Sequence, residues 1–476
     1  MPQSILSILG LVVPVLHGVG LVMAVDAIWR SRTPQGAIAW ACTLGLFPFV
    51  AIPLYLVFGR NRFYGYASAR RIEDQRVGDI VRELTAQVLP YRASVHEHDG
   101  LATLEALARL PFTHGNRLEL LVDGPATFEA IFSAMERAQD YILIQFFIVR
   151  DDELGRELQR RLIDKARTGI RVYFLYDEIG SHGLPRSYAS ALRAAGVSIL
   201  PFHTRKGPRN RFQLNFRNHR KIVVVDGREA FVGGHNVADE YVGRSKIFGH
   251  WRDTHVKIVG PAVQGVQLAF LEDWYWAAGE VPDLVWEPRA EADSSQNVLA
   301  LRSGPADDVE TCGLYFVQAI QMARKRLWIA SPYFVPDPQV VAALQLAALR
   351  GVDVRILLPA TPDHILVYLS TFSYIDEVGS ACICFYRYQA GFLHQKVMLI
   401  DDHLASVGTA NLDNRSIRLN FEINIMAADD KFAADVREML ERDLAQCERA
   451  YPGELAKRSF WFRLAVRVAR LAAPVQ

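Results

Sequence analysis

The chain has 476 residues, half of them hydrophobic and 22% charged, which allows a membrane segment and two domains of about 200 residues each. Its 53 lysines and arginines outnumber the 52 aspartates and glutamates by only one, which excludes a globally basic surface that would select nucleic acid. The five cysteines are scattered, and the chain has neither a Gly-x4-Gly-Lys-Ser/Thr phosphate loop nor a His-Glu-x-x-His zinc motif. Neither a nucleotide nor a metal ion is therefore implied.

Two apolar runs open the chain, at about residues 5–25 and 37–58, and each is about long enough to cross the hydrocarbon core of a bilayer. A cleaved signal peptide is the alternative, but residues 1–4 carry no basic side chain and the second run would stay unexplained. The pattern therefore predicts a two-helix transmembrane hairpin over residues 1–60.

Arginines lie on both sides of the second apolar run. The larger group follows the run and the smaller one precedes it, namely Arg60, Arg62, Arg70 and Arg71 against Arg30 and Arg32. By the positive-inside rule, the large part of the chain beyond the hairpin is predicted to lie in the cytoplasm. Because two spans return the chain to its starting side, the N-terminus is expected there as well.

The rest of the chain alternates apolar strands with amphipathic helical stretches, which indicates an α/β architecture. The order of these elements occurs twice: a strand predicted at residues 141–149, for example, is matched by one at 327–335. Such self-similarity indicates a duplicated domain. The predicted organisation after the hairpin is a juxtamembrane helical linker (61–115), a first domain (116–295), a second domain (296–452) and a basic amphipathic tail (453–476).

One motif occurs in both repeats, and it carries the chemistry. Each copy reads His-x-Lys-x4-Asp, followed after six residues by a pair of small residues and then an asparagine. The first copy consists of His219, Lys221, Asp226, Gly233, Gly234 and Asn236, and the second, 175 residues later, of His394, Lys396, Asp401, Gly408, Thr409 and Asn411.

On a strand, residues two apart point to the same face, so the histidine and the lysine of each copy are expected to project together. An imidazole that attacks phosphorus, beside a cation that holds phosphate oxygens, is half of a phosphoryl-transfer site. If the two domains pack about a pseudo-twofold axis, one histidine attacks while the other protonates the leaving alkoxide. The small residues would let backbone amides approach the phosphate, and the asparagines would donate hydrogen bonds to it.

This doubled motif resembles the signature of the phospholipase D superfamily. Gly234 and Thr409 stand where serine is commoner, a departure similar to the cardiolipin synthase branch of bacteria. Further stretches that resemble this branch are residues 55–62, 239–241, 251–255, 331–334 and 420–422. The resemblance implies two pseudo-symmetric phospholipase D-like α/β domains, with mixed sheets flanked by helices, behind the transmembrane hairpin.

In this family one histidine forms a covalent phosphohistidine and no metal or other cofactor is needed. By resemblance, His219 is the expected nucleophile and His394 the general acid and then base, although the sequence itself leaves their order open. Lys221 and Lys396 would neutralise the phosphate. The motif aspartates, Asp226 and Asp401, follow the strand and are expected mainly to brace it. The carboxylates expected to orient the histidines are Asp253 and Glu422, which follow the two motifs at comparable distances.

The resemblance implies phosphatidyl transfer between two phosphatidylglycerol molecules, giving cardiolipin and glycerol, in the inner membrane of a bacterium. A phospholipase D hydrolase, or a transferase with another acceptor such as phosphatidylethanolamine, remains an alternative because no motif reports whether water is excluded. A nuclease is disfavoured by the hairpin and the balanced charge, and a catalytically dead scaffold by the two complete motifs. Neither nucleic acid nor nucleotide is an expected partner, and the oligomeric state stays open.

Two basic segments lie outside the motifs. A strip of cations before the first motif is either a solvated loop or a docking site for anionic headgroups, and it comprises Arg205, Lys206, Arg209, Arg211 and Arg217. In the tail, Arg463, Arg467 and Arg470 share one helical face. That pattern fits a helix lying on anionic lipid, or one docked on the protein's own core with extended arginines.

Overall fold

A computed structural model describes residues 3–31, 33–59, 63, 66, 75–94, 100–203, 215–379 and 382–476. The chain forms two compact units, one of Met1–Arg71 with Thr204–Phe216 and the other of Ile72–His203 with Arg217–Gln476. The first unit contains the apolar segments of the sequence, and the second contains both copies of the motif.

Three helices make up most of the described part of the first unit: α1 (Gln3–Arg30), α2 (Pro34–Leu46) and α3 (Pro48–Phe58). Among the described residues, one helical stretch, Val12–Arg30, is by length and composition long and apolar enough to cross a membrane. The second predicted span is divided at Phe47, whose φ of −132° and ψ of 56° leave the helical region. Pro48 causes this division, since proline disfavours the helical conformation in the residue before it. The prediction of two spanning helices is therefore only partly confirmed.

Small residues bring these three helices together. A Cβ atom on Gly20 would lie 2.4 Å from the carbonyl oxygen of Leu44, so glycine is required for this close approach of α1 and α2. The Tyr55 hydroxyl donates a hydrogen bond of 3.0 Å to Asp26. Asp26 also pairs with Arg30 at 2.7 Å, which satisfies an acidic side chain on an otherwise apolar helix.

The described residues of the second unit form twenty strands. They are β1 (Thr113–Val122), β2 (Tyr141–Phe146), β3 (Arg171–Asp177), β4 (Ser198–Phe202), β5 (Arg217–Asn218), β6 (Ile222–Val225), β7 (Glu229–Gly233), β8 (Trp251–Arg252), β9 (Thr254–Val259), β10 (Gln296–Ser303), β11 (Arg326–Ala330), β12 (Phe334–Val335), β13 (Asp353–Pro359), β14 (Cys384–Tyr388), β15 (Phe392–Leu393), β16 (Val397–Ile400), β17 (Leu404–Gly408), β18 (Leu412–Asp413), β19 (Asn420–Ala428) and β20 (Cys447–Ala450).

Helices cover these sheets. The described ones are α4 (Gln75–Val88), α5 (Leu101–Ala108), α6 (Asp123–Arg137), α7 (Glu153–Arg167), α8 (Arg186–Ala194), α9 (Val263–Ala278), α10 (Thr311–Met322), α11 (Pro338–Leu349), α12 (Ile365–Gly379), α13 (Asn414–Arg418), α14 (Asp430–Leu444) and α15 (Phe460–Leu471). Short 3-10 helices cover Leu89–Tyr91, Asp239–Val242, Leu455–Lys457 and Ala473–Val475.

The duplication is visible in the strand order of the main sheet, β20-β14-β13-β11-β16-β17-β19-β10-β1-β9-β7-β6-β2-β3-β4. From the centre outward, the first repeat runs β1, β9, β7, β6, β2, β3, β4, and the second runs β10, β19, β17, β16, β11, β13, β14. Within each repeat the outer strands pair in parallel and the inner ones antiparallel. This confirms two related α/β domains with mixed pairing. The repeats also share a single sheet, because β1 and β10 pair antiparallel at its centre.

The predicted domain boundaries stay predictions, although several fall near the ends of elements. The boundary between residues 295 and 296 lies immediately before β10. The predicted linker contains the helices α4 and α5. Their side chains Leu84, Leu101 and Leu104 are buried in the core of the second repeat.

Candidate active site

Each histidine motif lies in a short link between two strands. His219 to Lys221 join β5 to β6, and His394 to Lys396 join β15 to β16. The main chain of each link is held by the opposite repeat: the His219 N–H donates to the Phe421 carbonyl at 3.0 Å, and the His394 N–H donates to the Arg252 carbonyl at 2.8 Å. The two motifs are thereby anchored to a common centre.

The carboxylates pair with the histidines in a crossed manner. Nδ1 of His219 lies 3.0 Å from both carboxylate oxygens of Glu422, which belongs to the second repeat. Nδ1 of His394 lies 2.7 Å from Oδ2 of Asp253, which belongs to the first. All four side chains are buried. The structure thus brings the predicted pair of carboxylates to the predicted pair of histidines, each across the boundary between the repeats.

Both motif lysines are buried beside their histidines. Nζ of Lys221 donates to the His219 carbonyl at 2.7 Å. Nζ of Lys396 contacts the His394 carbonyl and lies 2.9 Å from its Nδ1. Burial, aided by the charge of Lys396, lowers the pKa of Lys221 to about 7. Burial likewise lowers the pKa of Lys396 to about 8, against the opposing effect of Asp253. An anion entering the site would restore both to the charged form.

The histidines are held neutral. Burial lowers the pKa of His219 to about 4, with Lys221 adding to the effect and Glu422 opposing it. Burial and the two lysines lower the pKa of His394 well below its usual value. Burial alone would raise the pKa of Glu422, but the neighbouring His219 and Lys221 outweigh it and lower that pKa. A neutral imidazole has a free lone pair, which a nucleophile requires.

The motif aspartates serve the backbone. Asp226 accepts hydrogen bonds from the N–H groups of residues 139, 140 and 141, directly before β2. Asp401 accepts from those of residues 324, 325 and 326, directly before β11. Each lies beyond the far end of a four-residue strand from its histidine, and the strand alone spans roughly 13 Å at about 3.3 Å per residue. The structure does not bring these carboxylates to the histidines.

The small residues make room for side chains of the site. A Cβ atom on Gly234 would lie 2.0 Å from Oδ1 of Asp253, and one on Gly408 would lie 2.1 Å from Oδ1 of Asn424. Gly233 similarly faces the Thr254 carbonyl, at 2.4 Å from such an atom. The contacts that require glycine here are therefore made with the protein itself. A Cβ contact below 3.0 Å requires a neighbour to move.

The other motif residues hydrogen-bond within the protein. Thr409, at the position that matches Gly234, donates from its hydroxyl to Oε2 of Glu422 at 2.6 Å. Asn236 accepts from the Ile148 N–H through its side-chain oxygen and donates to the Tyr241 hydroxyl, both at 3.0 Å. The Asn411 amide group lies 3.4 Å from Asp413. Among the described residues, the buried side-chain oxygen of Asn411 has no hydrogen-bond partner.

Comparisons with known proteins identify the family of the chain. The family described as "Cardiolipin synthase, PLD-like domain" matches residues 131–262 and 316–444. The chain is 50% identical to cardiolipin synthase A of Pseudomonas fluorescens over 473 residues, which cover 98% of each chain. The chain belongs to the cardiolipin synthase family. It is also 48% identical to cardiolipin synthase A of Pseudomonas aeruginosa, over 98% of this chain and 96% of that relative.

Two further similarities concern the N-terminal region of this cardiolipin synthase family member and the fold of its chain. The family "Phospholipase_D-nuclease N-terminal" matches residues 19–60, the region of the apolar helices. A solved phosphatidylserine synthase of Haemophilus influenzae superposes with a TM-score of 0.58 and covers 79% of this chain and 100% of its own length. At 15% identity this likeness shows the fold alone.

Several contacts of the site were not anticipated from the sequence. Glu422 accepts from the Ser416 hydroxyl at 2.8 Å and from the Asn420 amide at 3.2 Å, two polar residues close before it in the sequence. Arg220, between the motif histidine and lysine, donates to the buried Asp273 at 2.9 Å and to the Glu422 carbonyl at 3.1 Å. A buried arginine inside the motif was the available signal for such an acidic partner.

The cationic strip predicted to contact headgroups includes one described residue, Arg217. Arg205, Lys206, Arg209 and Arg211 lie outside the described residues. Arg217 begins β5, two residues before His219, and burial together with nearby Arg415 lowers its pKa to about 10. Within the described ranges, no three histidine, cysteine, aspartate or glutamate side chains are arranged to hold a metal ion.

Proposed function

We propose that this protein transfers the phosphatidyl group of one phosphatidylglycerol to the free glycerol hydroxyl of another, giving cardiolipin and glycerol. The observation that carries the proposal is the pair of buried histidines, each facing a carboxylate of the opposite repeat. Membership of the cardiolipin synthase family supports the choice of lipid substrates. Both substrates reside in a bilayer, which suits a protein with an apolar N-terminal helix.

The first step forms a phosphohistidine. With Nδ1 facing Glu422, the other ring nitrogen of His219 carries the lone pair that attacks phosphorus. The bond between phosphorus and the glycerol oxygen breaks, and His394 gives that oxygen its proton, so that glycerol leaves. The phosphodiester anion favours the protonated form of His394 once it enters the site, and Lys221 and Lys396 neutralise its oxygens.

The second step reverses these roles. His394 takes the proton of the acceptor's glycerol hydroxyl, and the resulting oxygen attacks phosphorus. The bond between phosphorus and His219 breaks, which releases cardiolipin and restores both histidines. No proton is gained or lost over the two steps. Asp253 fixes the ring of His394 and stabilises its charged form in each of them.

A difference between the two carboxylates supports His219 as the nucleophile. Glu422 accepts hydrogen bonds from Thr409, Ser416 and Asn420 in addition to facing His219. Each donor withdraws negative charge from Glu422, which leaves His219 closer to a neutral base. Asp253 accepts from the Thr254 N–H and faces His394, so more of its charge is directed at the imidazolium that an acid needs.

The protein is further proposed to be a multi-pass protein of a bacterial inner membrane, with the catalytic unit in the cytoplasm. The arginines that follow the second apolar run support this orientation. The cations Arg205, Lys206, Arg209, Arg211 and Arg217 stay the proposed contact for anionic headgroups. Asn236, Gly233 and Gly408 are proposed to support the site through the packing described above, and Asp226 and Asp401 to brace its strands.

The test is lipid analysis of the purified, detergent-solubilised protein incubated with phosphatidylglycerol alone. We expect cardiolipin and glycerol in equal amounts, and neither product from a His219→Ala variant. Phosphatidic acid as the main product would instead identify water as the acceptor and overturn the synthase proposal. Product that requires added phosphatidylethanolamine would identify that lipid as the acceptor.

A further inference from the structure

The last helix, α15, uses only one of its faces to pack on the protein. Val466 and Ala469 are buried, and the ring of Phe462 lies 5.3 Å from that of Phe372 on α12. Arg470, at the other end of the helix, donates to the Ser373 hydroxyl on α12 at 2.7 Å. The helix is therefore fixed in position along α12, with its remaining faces exposed.

The exposed face of α15 is strongly apolar. Five of its large hydrophobic side chains are accessible, with Trp461 74% and Leu471 82% exposed; the other three are Phe460, Leu464 and Val468. The first turn of α12 adds Ile365, which is 73% exposed, and Leu366. A soluble surface rarely concentrates so many large hydrophobic side chains on one pair of helices.

The same face carries cations without carboxylate partners. Arg463 and Arg467 are exposed one helical turn apart, and neither forms an ion pair with any described residue. No acidic residue occurs from position 460 to 476. By contrast, Arg156, Arg160 and Arg161 of α7 pair with neighbouring carboxylates, as in Arg156 with Asp151 at 2.7 Å. Unneutralised arginines beside tryptophan and leucine are complementary to an anionic lipid interface.

This face belongs to the same part of the unit as the candidate active site. Asp363 and His364 directly precede α12, and their charges act on Lys396 and His394 of the site. A cleft that opens to solvent is lined by Tyr333, Asp363, His364, Tyr368 and Phe372 among others. The cleft thus contains the two residues whose charges act on the active site together with Phe372, which belongs to the packed side of α12.

We propose that the exposed faces of α12 and α15 form a docking surface for an anionic phospholipid bilayer. Trp461, Leu464 and Ile365 enter the interface, and Arg463 and Arg467 contact lipid phosphates. Docking turns the edge of the active site toward the membrane that holds its substrates. The surface is a membrane contact in addition to the apolar N-terminal helices. It goes beyond the proposed function, and it can be tested in a variant that does not turn over substrate.

The test places the photoreactive residue p-benzoylphenylalanine at position 461 of the full chain, in a His219→Ala background that prevents turnover. The protein is reconstituted in vesicles of phosphatidylglycerol and phosphatidylcholine, illuminated, and analysed by mass spectrometry. We expect phospholipid adducts at position 461 and none with the same residue at position 160, an exposed site on α7. Absence of lipid adducts at 461, or a crosslink there to a second copy of the chain, would overturn the proposal.

A charge-reversal pair adds a functional readout that is separable from folding. An Arg463→Glu/Arg467→Glu variant should require at least about 10-fold more phosphatidylglycerol in vesicles for half-maximal rate. In detergent micelles its maximal rate should match that of the unmodified protein. The matched control is Arg442→Glu, which reverses an exposed arginine on α14 that pairs with Glu438. Equal behaviour of the two variants in vesicles would also overturn the proposal.

Discussion

The crossed pairing predicts that Asp253→Asn disables His394 and leaves His219 reactive. In the structure the Thr254 N–H donates to Oδ1 at 2.8 Å, and Nδ1 of His394 faces Oδ2 at 2.7 Å. An asparagine would keep its oxygen on the Thr254 N–H, so its NH2 group would face Nδ1. His394 would then carry its proton on Nε2, the nitrogen that must accept one from the incoming hydroxyl. In serine proteases the same tautomer error lowers kcat by about 10⁴. For Asp253→Asn we expect kcat to fall by a factor of about 10³ to 10⁴.

The assay separates the two steps with a phosphatidyl ester of p-nitrophenol, whose leaving group needs no proton. His394→Ala should release a burst of p-nitrophenolate equal to the number of sites and then stall, because the intermediate has no base to resolve it. His219→Ala should give no burst. Asp253→Asn should behave like His394→Ala, and Glu422→Gln should weaken or abolish the burst like His219→Ala.

The crossed pairing would be contradicted if Asp253→Asn lost the burst as His219→Ala does, while Glu422→Gln retained it. Each carboxylate would then serve the histidine of its own repeat. A burst from His219→Ala and none from His394→Ala would leave the crossed pairing intact but reverse the order of the histidines. The four variants therefore distinguish an error in pairing from an error in role.

Three further predictions concern the surroundings of the histidines. Burial lowers the pKa of Lys221 to about 7 and that of Lys396 to about 8, so both lysines lose their charge as the pH rises. We therefore expect kcat/KM to fall as the pH rises through these two values. A kcat/KM that stays constant to high pH would contradict this. Gly234→Ala should lower kcat by about 10²-fold with little change in Tm, because the added Cβ displaces the Asp253 carboxylate. Full activity would show that this carboxylate can move without loss of function. Asp226→Ala should reduce the free energy of unfolding by about 2 kcal/mol, measured by thermal melting in detergent, because three backbone N–H groups lose their acceptor. The kcat of the folded variant should not change. A large loss of kcat would assign Asp226 to the chemistry.

The fold could be predicted from the sequence because the sequence repeats the same motif and the same order of elements. Two copies of one motif at a constant offset predicted a duplicated α/β unit, and the strand order shows the two halves of it. The division of the second apolar run was not predicted, although Pro48 marks the position where the helix ends. The apolar composition of residues 37–58 predicts one continuous span, because composition does not report this local backbone restriction.

The two carboxylates that face the histidines could also be predicted from the sequence, but which carboxylate faces which histidine could not. Asp253 and Glu422 were singled out by their similar distance from the two motifs, which describes each repeat separately. The crossing arises from tertiary pairing: β5 lies parallel to β19, beside Glu422, and β15 lies parallel to β8, beside Asp253. Such contacts between short strands far apart in the chain leave no periodic signal.

A symmetric site with two equivalent histidines would be poorly suited to a reaction whose two steps need one nucleophile and one acid. One of the differences between the two halves lies at a matched position of the motif, where Gly234 in the first copy corresponds to Thr409 in the second. Without a side chain, Gly234 lets the Asp253 carboxylate approach its Cα and donates no side-chain hydrogen bond to it. Thr409 instead donates a short hydrogen bond to Glu422. Because hydrogen bonds to a carboxylate stabilise its charge and weaken its pull on a neighbouring proton, this difference supports the proposed roles, with His219 neutral as the nucleophile and His394 as the residue that takes up and gives the proton.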